Sequence, residues 1–200
     1  MKPKVVRIIS DLGSGGAERS LFKLAKSNLA NTYDFSVICL KGEGMYSQKL
    51  RRQGIDVIAL NLNYFNFLFK LFPFALNLYK VRPQIIQGWM YHGNIAALIG
   101  KYMLFAKPKL VWNIRHSLHS IEYEKKTTQV IIYINKAFSQ AANLIIYNSS
   151  NSLAQHNKYG FAKSPTSVIE NGFDETIELN VIARNELRER YKFTESTLVI

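Results

Sequence analysis

The chain is predicted to form an α/β protein organised on a doubly wound parallel sheet of about seven strands. Three observations predict it. Short runs of β-branched and apolar residues alternate with stretches of helical period along most of the chain. The first such run enters the first helix through a glycine-rich turn. With 200 residues, 48% of them apolar, there is enough material for one well-cored α/β domain and too little for two of ordinary size.

The opening run, Val5–Leu12, is apolar and β-branched enough for a buried strand, and Ala17, Leu21, Leu24 and Ala25 then fall at helical spacing. Between them lie Gly13, Gly15 and Gly16. A strand that turns into a helix leaves the helix's first N–H groups unpaired beyond the strand ends, where a phosphate can sit, and glycines remove the Cβ atoms that would hold it off. A dinucleotide fingerprint does not fit: counted from Gly13, its third glycine falls on Glu18, and the second strand, Phe35–Leu40, ends in Lys41 instead of a ribose-binding acid. A nucleotide- or dinucleotide-binding enzyme of another class is the alternative reading. A Walker loop is absent, since no Gly-Lys-Ser/Thr follows.

A short basic helix over Ser47–Gln53 stops at Gly54, and Ile55–Leu62 is the third strand. From Asn61 to Lys80 the helical pattern changes character. Asn63, Asn66, Lys70 and Asn77 make one narrow polar stripe, and almost everything else is apolar, including Phe65, Phe67, Phe69, Phe72 and Phe74. Two readings stand: a helix buried on the sheet and kinked by Pro73, or an interfacial segment in which Phe65, Phe69 and Phe72 dip into a bilayer while Lys70 meets anionic head groups. A membrane span is excluded, because about twenty uninterrupted apolar residues are needed and this stretch is interrupted.

Pro83–Trp89 is strand four, and its exit delivers Trp89, Tyr91 and His92 before a helix over Asn94–Leu104. Strand five, Lys109–Ile114, delivers Arg115, His116 and His119 to the same edge. A helix over Thr128–Ala142, strand six over Asn143–Tyr147 with Ser149 at its tip, a helix opening at Ser152 and a last strand from Thr166 complete the sheet. A polar helix over Asn180–Lys192 and a strand beginning at Thr197 follow.

The chain carries 26 basic and 14 acidic residues, a net charge of +12. Between Asp56 and Glu122 there is no acid, while seven Lys and Arg fall in that window, which points to a polyanionic partner. Nucleic acid is set aside, because the aromatic residues gather on one apolar helix instead of interleaving with Lys and Arg. The single cysteine, Cys39, lies in a strand and reads as a small buried hydrophobe in a reducing compartment. The first residues lead straight into a strand, and the apolar run is too short and too soon interrupted to be expected to act as a signal peptide.

Two segments, Gly15-Gly16-Ala17-Glu18-Arg19 and Val168-Ile169-Glu170-Asn171-Gly172-Phe173-Asp174, together resemble the opening turn and the interdomain turn of retaining glycosyltransferases of family 4, with the GT-B fold. The second departs from the family pattern at Glu170, where proline is usual, and at Phe173. His116-Ser117-Leu118 is similar to the family's histidine at the end of strand five.

The resemblance implies that residues 1–175 are a Rossmann-like N-terminal, acceptor-binding domain, and that 176–200 are a linker and the first strand of a nucleotide-sugar-binding domain. It implies transfer from a nucleotide-sugar such as a UDP- or GDP-sugar to a lipid-diphosphate-linked or glycan acceptor in surface polysaccharide or glycan biosynthesis. No metal and no further cofactor are implied. Gly15 and Gly16 would bind the donor phosphates, and His116 would act at the donor sugar. Glu18, Trp89, Tyr91, His92, Arg115 and His119 would meet the acceptor, and Ser149, Asn171 and Gly172 would line the donor edge. The protein is expected in the cytoplasm, peripheral on the inner face of the plasma membrane, and the 200 residues alone are expected to be inactive.

Overall fold

A computed structural model of the chain describes residues 2–63, 65–162, 164–172, 181–194 and 196–197. The elements in chain order are β1 (Lys4–Ile9), α1 (Gly16–Lys26), α2 (Leu29–Thr32), β2 (Asp34–Cys39), α3 (Met45–Arg51), β3 (Asp56–Ala59) and α4 (Phe67–Val81). There follow β4 (Ile85–Trp89), α5 (Met90–Met103), β5 (Lys109–Ile114), α6 (Lys126–Phe138), β6 (Leu144–Tyr147), α7 (Ser150–Tyr159), β7 (Thr166–Val168) and α8 (Val181–Arg190). One seven-stranded sheet runs β3-β2-β1-β4-β5-β6-β7, every neighbouring pair parallel. This is the expected doubly wound sheet, and the strand order reverses between β1 and β4.

Strand parity divides the core. Val6, Ile8, Ile86, Trp112 and Ile145 point to one face, packed with Phe74 and Leu78 of α4, Ala97 of α5 and Ile132 of α6. Val5, Ile9, Val37, Cys39 and Trp89 point to the other, packed with Leu21 and Ala25 of α1 and Leu50 of α3. A strand buried on both faces must be apolar throughout, which is why these runs lack the polar alternation of a half-exposed sheet. Cys39 is buried, as its position in a strand implied.

The structure differs from the sequence reading most at α5. The helix begins at Met90, with no loop after β4, so Tyr91 and His92 form its first turn. Two glycines make this possible. A Cβ on Gly93 would overlap the carbonyl oxygen of Ile8, and one on Gly88 would overlap Asn94, so the helix lies directly on β1 and β4. The abrupt start leaves Met90 at φ 61°, a conformation rarely taken by a side-chain-bearing residue. β3 is shorter than the expected Ile55–Leu62: the regular ladder stops at Ala59, and Asn61 takes a positive φ of 52° while the Leu60 and Leu62 N–H groups still bond to carbonyls of Cys39 and Leu40. The helix expected to Ala142 ends at Phe138 and tightens into a 3₁₀ turn over Ser139–Ala141. The last strand stops at Val168, and its expected continuation over Phe173–Asp174, like the strand expected over residues 198–200, lies outside the described residues.

In α4 both readings of the aromatic stretch find residues. Phe74 and Leu78 are in the core, whereas Phe65 just before the helix and Leu68, Phe69 and Phe72 on it are at least 74% exposed. Among the described residues no helix is long and apolar enough to cross a membrane.

Candidate functional site

Where β1 and β4 lie side by side their connections leave in opposite directions, and the carboxyl ends of β1, β4 and β5 open a cleft of about 450 Å³. Ser10, Gly16 and Glu18 come from the end of β1 and the start of α1, and Met90, Tyr91 and His92 from the first turn of α5. Arg115 and His116 follow β5, and Glu124 and Thr128 close the far wall. Two helices, α1 and α5, therefore direct their N-terminal turns at one space, and unpaired N–H groups with the positive ends of two helix dipoles favour an anion there.

The two predicted glycines differ. At Gly16 a Cβ would meet nothing within 4 Å, so the turn is open. At Gly15 a Cβ would overlap the Glu18 carboxylate, which folds back over the turn. Asp11 shapes the approach, its Oδ1 accepting from the Gly13 N–H at 2.9 Å.

His116 is held on several sides. Its Nε2 lies 2.8 Å from Oε1 of Glu124. A carboxylate only accepts, so Nε2 carries the proton and Nδ1 is the nitrogen left for a ligand. The His116 carbonyl accepts from Ser152 Oγ at 2.7 Å, and the ring meets Tyr91 edge-on at 5.8 Å. Tyr91 is in turn anchored. Its hydroxyl lies 2.7 Å from Nε2 of His156, whose Nδ1 lies 2.7 Å from the Ser152 carbonyl. The carbonyl requires Nδ1–H, so Nε2 accepts from the tyrosine. Burial holds His156 neutral, its pKa pushed down to about 4, and pushes the Tyr91 phenol up.

Arg115 donates to Asn171 Oδ1 and lies over the Trp89 ring at 5.6 Å. Its guanidinium loses some basicity to burial and remains a cation. Burial and the charge of Lys41 together lower the pKa of His92.

The cleft thus gathers Gly16, Glu18, Tyr91, His92, Arg115, His116 and Asn171. The other expected site residues sit elsewhere. Trp89 is 1% exposed and points to the α1 side of the sheet, with its β-neighbours Ile9 and Asn113. His119 is on the surface beside Gln155, 3.1 Å away. Ser149 caps α7 through the Ser152 N–H, and the Gly172 carbonyl accepts from Lys23. Sequence reasoning missed Glu124. A signal was present: the acid-free window ends at Glu122 and Glu124, eight residues from the histidine singled out.

A doubly wound parallel sheet that brings two helix N-termini, a carboxylate-paired histidine and an arginine to its switch point is a Rossmann-like α/β domain with a candidate anion-binding cleft. The solved structures it resembles agree. Anabaena HepE, solved in complex with UDP and glucose, superposes with a TM-score of 0.71 at 22% identity over 94% of this chain and 50% of that one. Sucrose-phosphate synthase from Thermosynechococcus elongatus gives 0.69 at 15% identity, over 92% and 52% of the two chains. The lipopolysaccharide outer core galactosyltransferase WaaB gives 0.64 at 15%, over 87% and 47%. At these identities the likeness concerns the fold, and the chain spans about half the length of each. No curated protein matches the chain. Glycosyltransferase Family 4 matches residues 14–176, and the chain belongs to that family.

Proposed function

We propose that this domain serves a retaining transferase that moves a sugar from a nucleotide-sugar donor to a lipid-diphosphate-linked or glycan acceptor in surface polysaccharide or glycan assembly, without a bound metal. The observation that supports it most is the meeting of the open Gly16 turn with the His116–Glu124 pair in one cleft. Charge that develops on the leaving diphosphate is stabilised by the preorganised N–H groups at Gly16 and by the two helix dipoles. His116, its tautomer fixed by Glu124, accepts a hydrogen bond from a donor-sugar hydroxyl. The acceptor lies over Tyr91, His92 and Arg115, with Glu18 taking a hydroxyl proton into a hydrogen bond. HepE, solved with UDP and glucose, and WaaB, a galactosyltransferase of lipopolysaccharide, lend the donor and the setting their plausibility by fold likeness.

In this reading residues 1–175 form the acceptor half, residues 176–200 lead into a donor-binding half, and the 200 residues alone transfer no sugar. The protein lies on the cytoplasmic face of an anionic membrane, with Phe65, Phe69 and Phe72 in the interface and Lys70 nearby. Salt-sensitive co-sedimentation with vesicles containing anionic lipid, lost in Phe69→Ser, tests that part.

The reaction is tested in a protein that joins this domain to a nucleotide-sugar-binding domain. Nucleotide release is followed against a panel of UDP- and GDP-sugars. His116→Ala is expected to lower kcat roughly a hundredfold or more, and Glu124→Gln about tenfold, within the range for orienting and hydrogen-bonding groups. Unchanged turnover in His116→Ala overturns the assignment of the site.

A further inference from the structure

A second cavity adjoins the cleft. It is a furrow of about 240 Å³ between α4, α5 and α6, closed at its base by Leu40 and Leu60 from the ends of β2 and β3. Its walls are Leu71 and Phe74 of α4, Ile95 and Ile99 of α5, and Ile131 and Ile134 of α6. Among the described residues only two lining side chains can form a hydrogen bond: Lys70 on α4 and His92 on α5. His92 also lines the polar cleft, so the two spaces share one residue as a common wall.

We propose that this furrow holds the hydrocarbon chain of the acceptor, while the acceptor's anionic head crosses His92 into the cleft; the inference rests on the transferase reading above. Three observations support a hydrocarbon occupant. The four isoleucines and Leu71 are half-buried, neither packed away nor dispersed singly, so apolar surface is left for something to cover. A peptide segment would bring N–H and C=O groups needing partners, and the walls supply almost none. Its volume exceeds the roughly 150 Å³ that takes benzene and falls short of the roughly 400 Å³ that a single helical turn about 10 Å across would fill. The occupant is the acceptor's own chain, not a bulk lipid, because the furrow runs to His92 and from there to the reacting groups.

The test uses alkyl phosphates as probes of the isoleucine-methyl-labelled protein, below their micelle concentrations. Methyl, butyl, hexyl and octyl phosphate are titrated in turn. Affinity is expected to rise roughly fourfold for each added methylene, from about 0.8 kcal/mol per buried CH₂, until the furrow is full. The methyl resonances of Ile95, Ile99, Ile131 and Ile134 should shift in proportion to occupancy, while the sheet-core Ile8 and Ile145 stay fixed. Ala96→Phe and, separately, Ile134→Trp should weaken octyl phosphate at least tenfold and leave methyl phosphate unchanged. Equal affinity for methyl and octyl phosphate in the unsubstituted protein overturns the proposal, as does octyl binding that leaves all four isoleucines unmoved. Because these readouts need no turnover, failure of the nucleotide-release assay with a water-soluble acceptor would sink the transferase reading alone.

Discussion

Two helices open onto the same cleft, and they are built in opposite ways. The start of α1 is loose: Gly15 caps it without a side-chain bond, Gly16 faces open space, and the Glu18 carboxylate is folded over the turn. The start of α5 is tight: Met90 is forced to φ 61°, Gly93 is pressed against the Ile8 carbonyl, and the next residues are pinned from behind. Asn135 donates to the Tyr91 carbonyl at 3.0 Å, and His156 accepts from the Tyr91 hydroxyl. The contrast teaches a division of labour. The α5 edge is a fixed wall against which His116 and Tyr91 are set, and the α1 edge is the open one, where a Cβ at Gly16 would meet nothing within 4 Å.

If α5 is the fixed wall, damage to its supports should cost the most. The largest effect is expected with pH. His156 has a pKa of about 4 in the folded protein, against 6.5 when unfolded. Its folded value is depressed, so the unfolded chain takes up the proton first as pH falls. Stability from this group is complete above pH 6.5, falls between 6.5 and 4, and is flat below. The loss amounts to roughly 3 kcal/mol. Urea unfolding at pH 7.5 and at pH 4.5 should register most of it, and in His156→Gln the step should shrink to the smaller part owed to His92, whose pKa is also lowered. A step of equal size in that variant would move its origin elsewhere. Next in size is Gly93→Ala, in which a methyl meets backbone oxygen that cannot rotate away. A loss of about 2 to 3 kcal/mol is expected in the same assay, against a gain of up to about 1 kcal/mol for the same exchange in a free helix.

How much of this was readable from the sequence follows the same division. The sheet was legible because each strand is a short β-branched run followed by a helical pattern, and nothing in the tertiary structure overrides that. The α1 turn was legible because its glycines are local. The α5 start was not: Tyr91 and His92 read as loop residues, since the close contact of Gly93 with Ile8 joins elements 85 residues apart in sequence. Glu124 escaped for a related reason: the end of the acid-free window marks its neighbourhood, but a carboxylate in a loop shows no period, and only folding selects it as the partner of His116. Trp89 could have been placed by parity. It alternates with Ile86 and Gly88 along β4 and so belongs to the face of Ile9, away from the cleft.

The remaining substitutions probe each helix start at its first residue, where the comparison is sharpest. Met90→Val puts a β-branched side chain at a positive φ already costly for methionine, and about 1.5 kcal/mol should be lost in urea unfolding. The smallest effect belongs to Gly16→Ala. Its new methyl meets nothing within 4 Å, and alanine is the better helix former with fewer unfolded conformations to give up. Stability should therefore rise by a few tenths of a kcal/mol, up to about 0.5. The same methyl would stand in the proposed phosphate seat, so UDP binding, followed by calorimetry in the protein joined to a nucleotide-sugar-binding domain, should weaken even as the fold is strengthened. A variant that lost more than about 1 kcal/mol would show α1 to be packed as tightly as α5, and one that kept full UDP affinity would show the seat to lie away from Gly16.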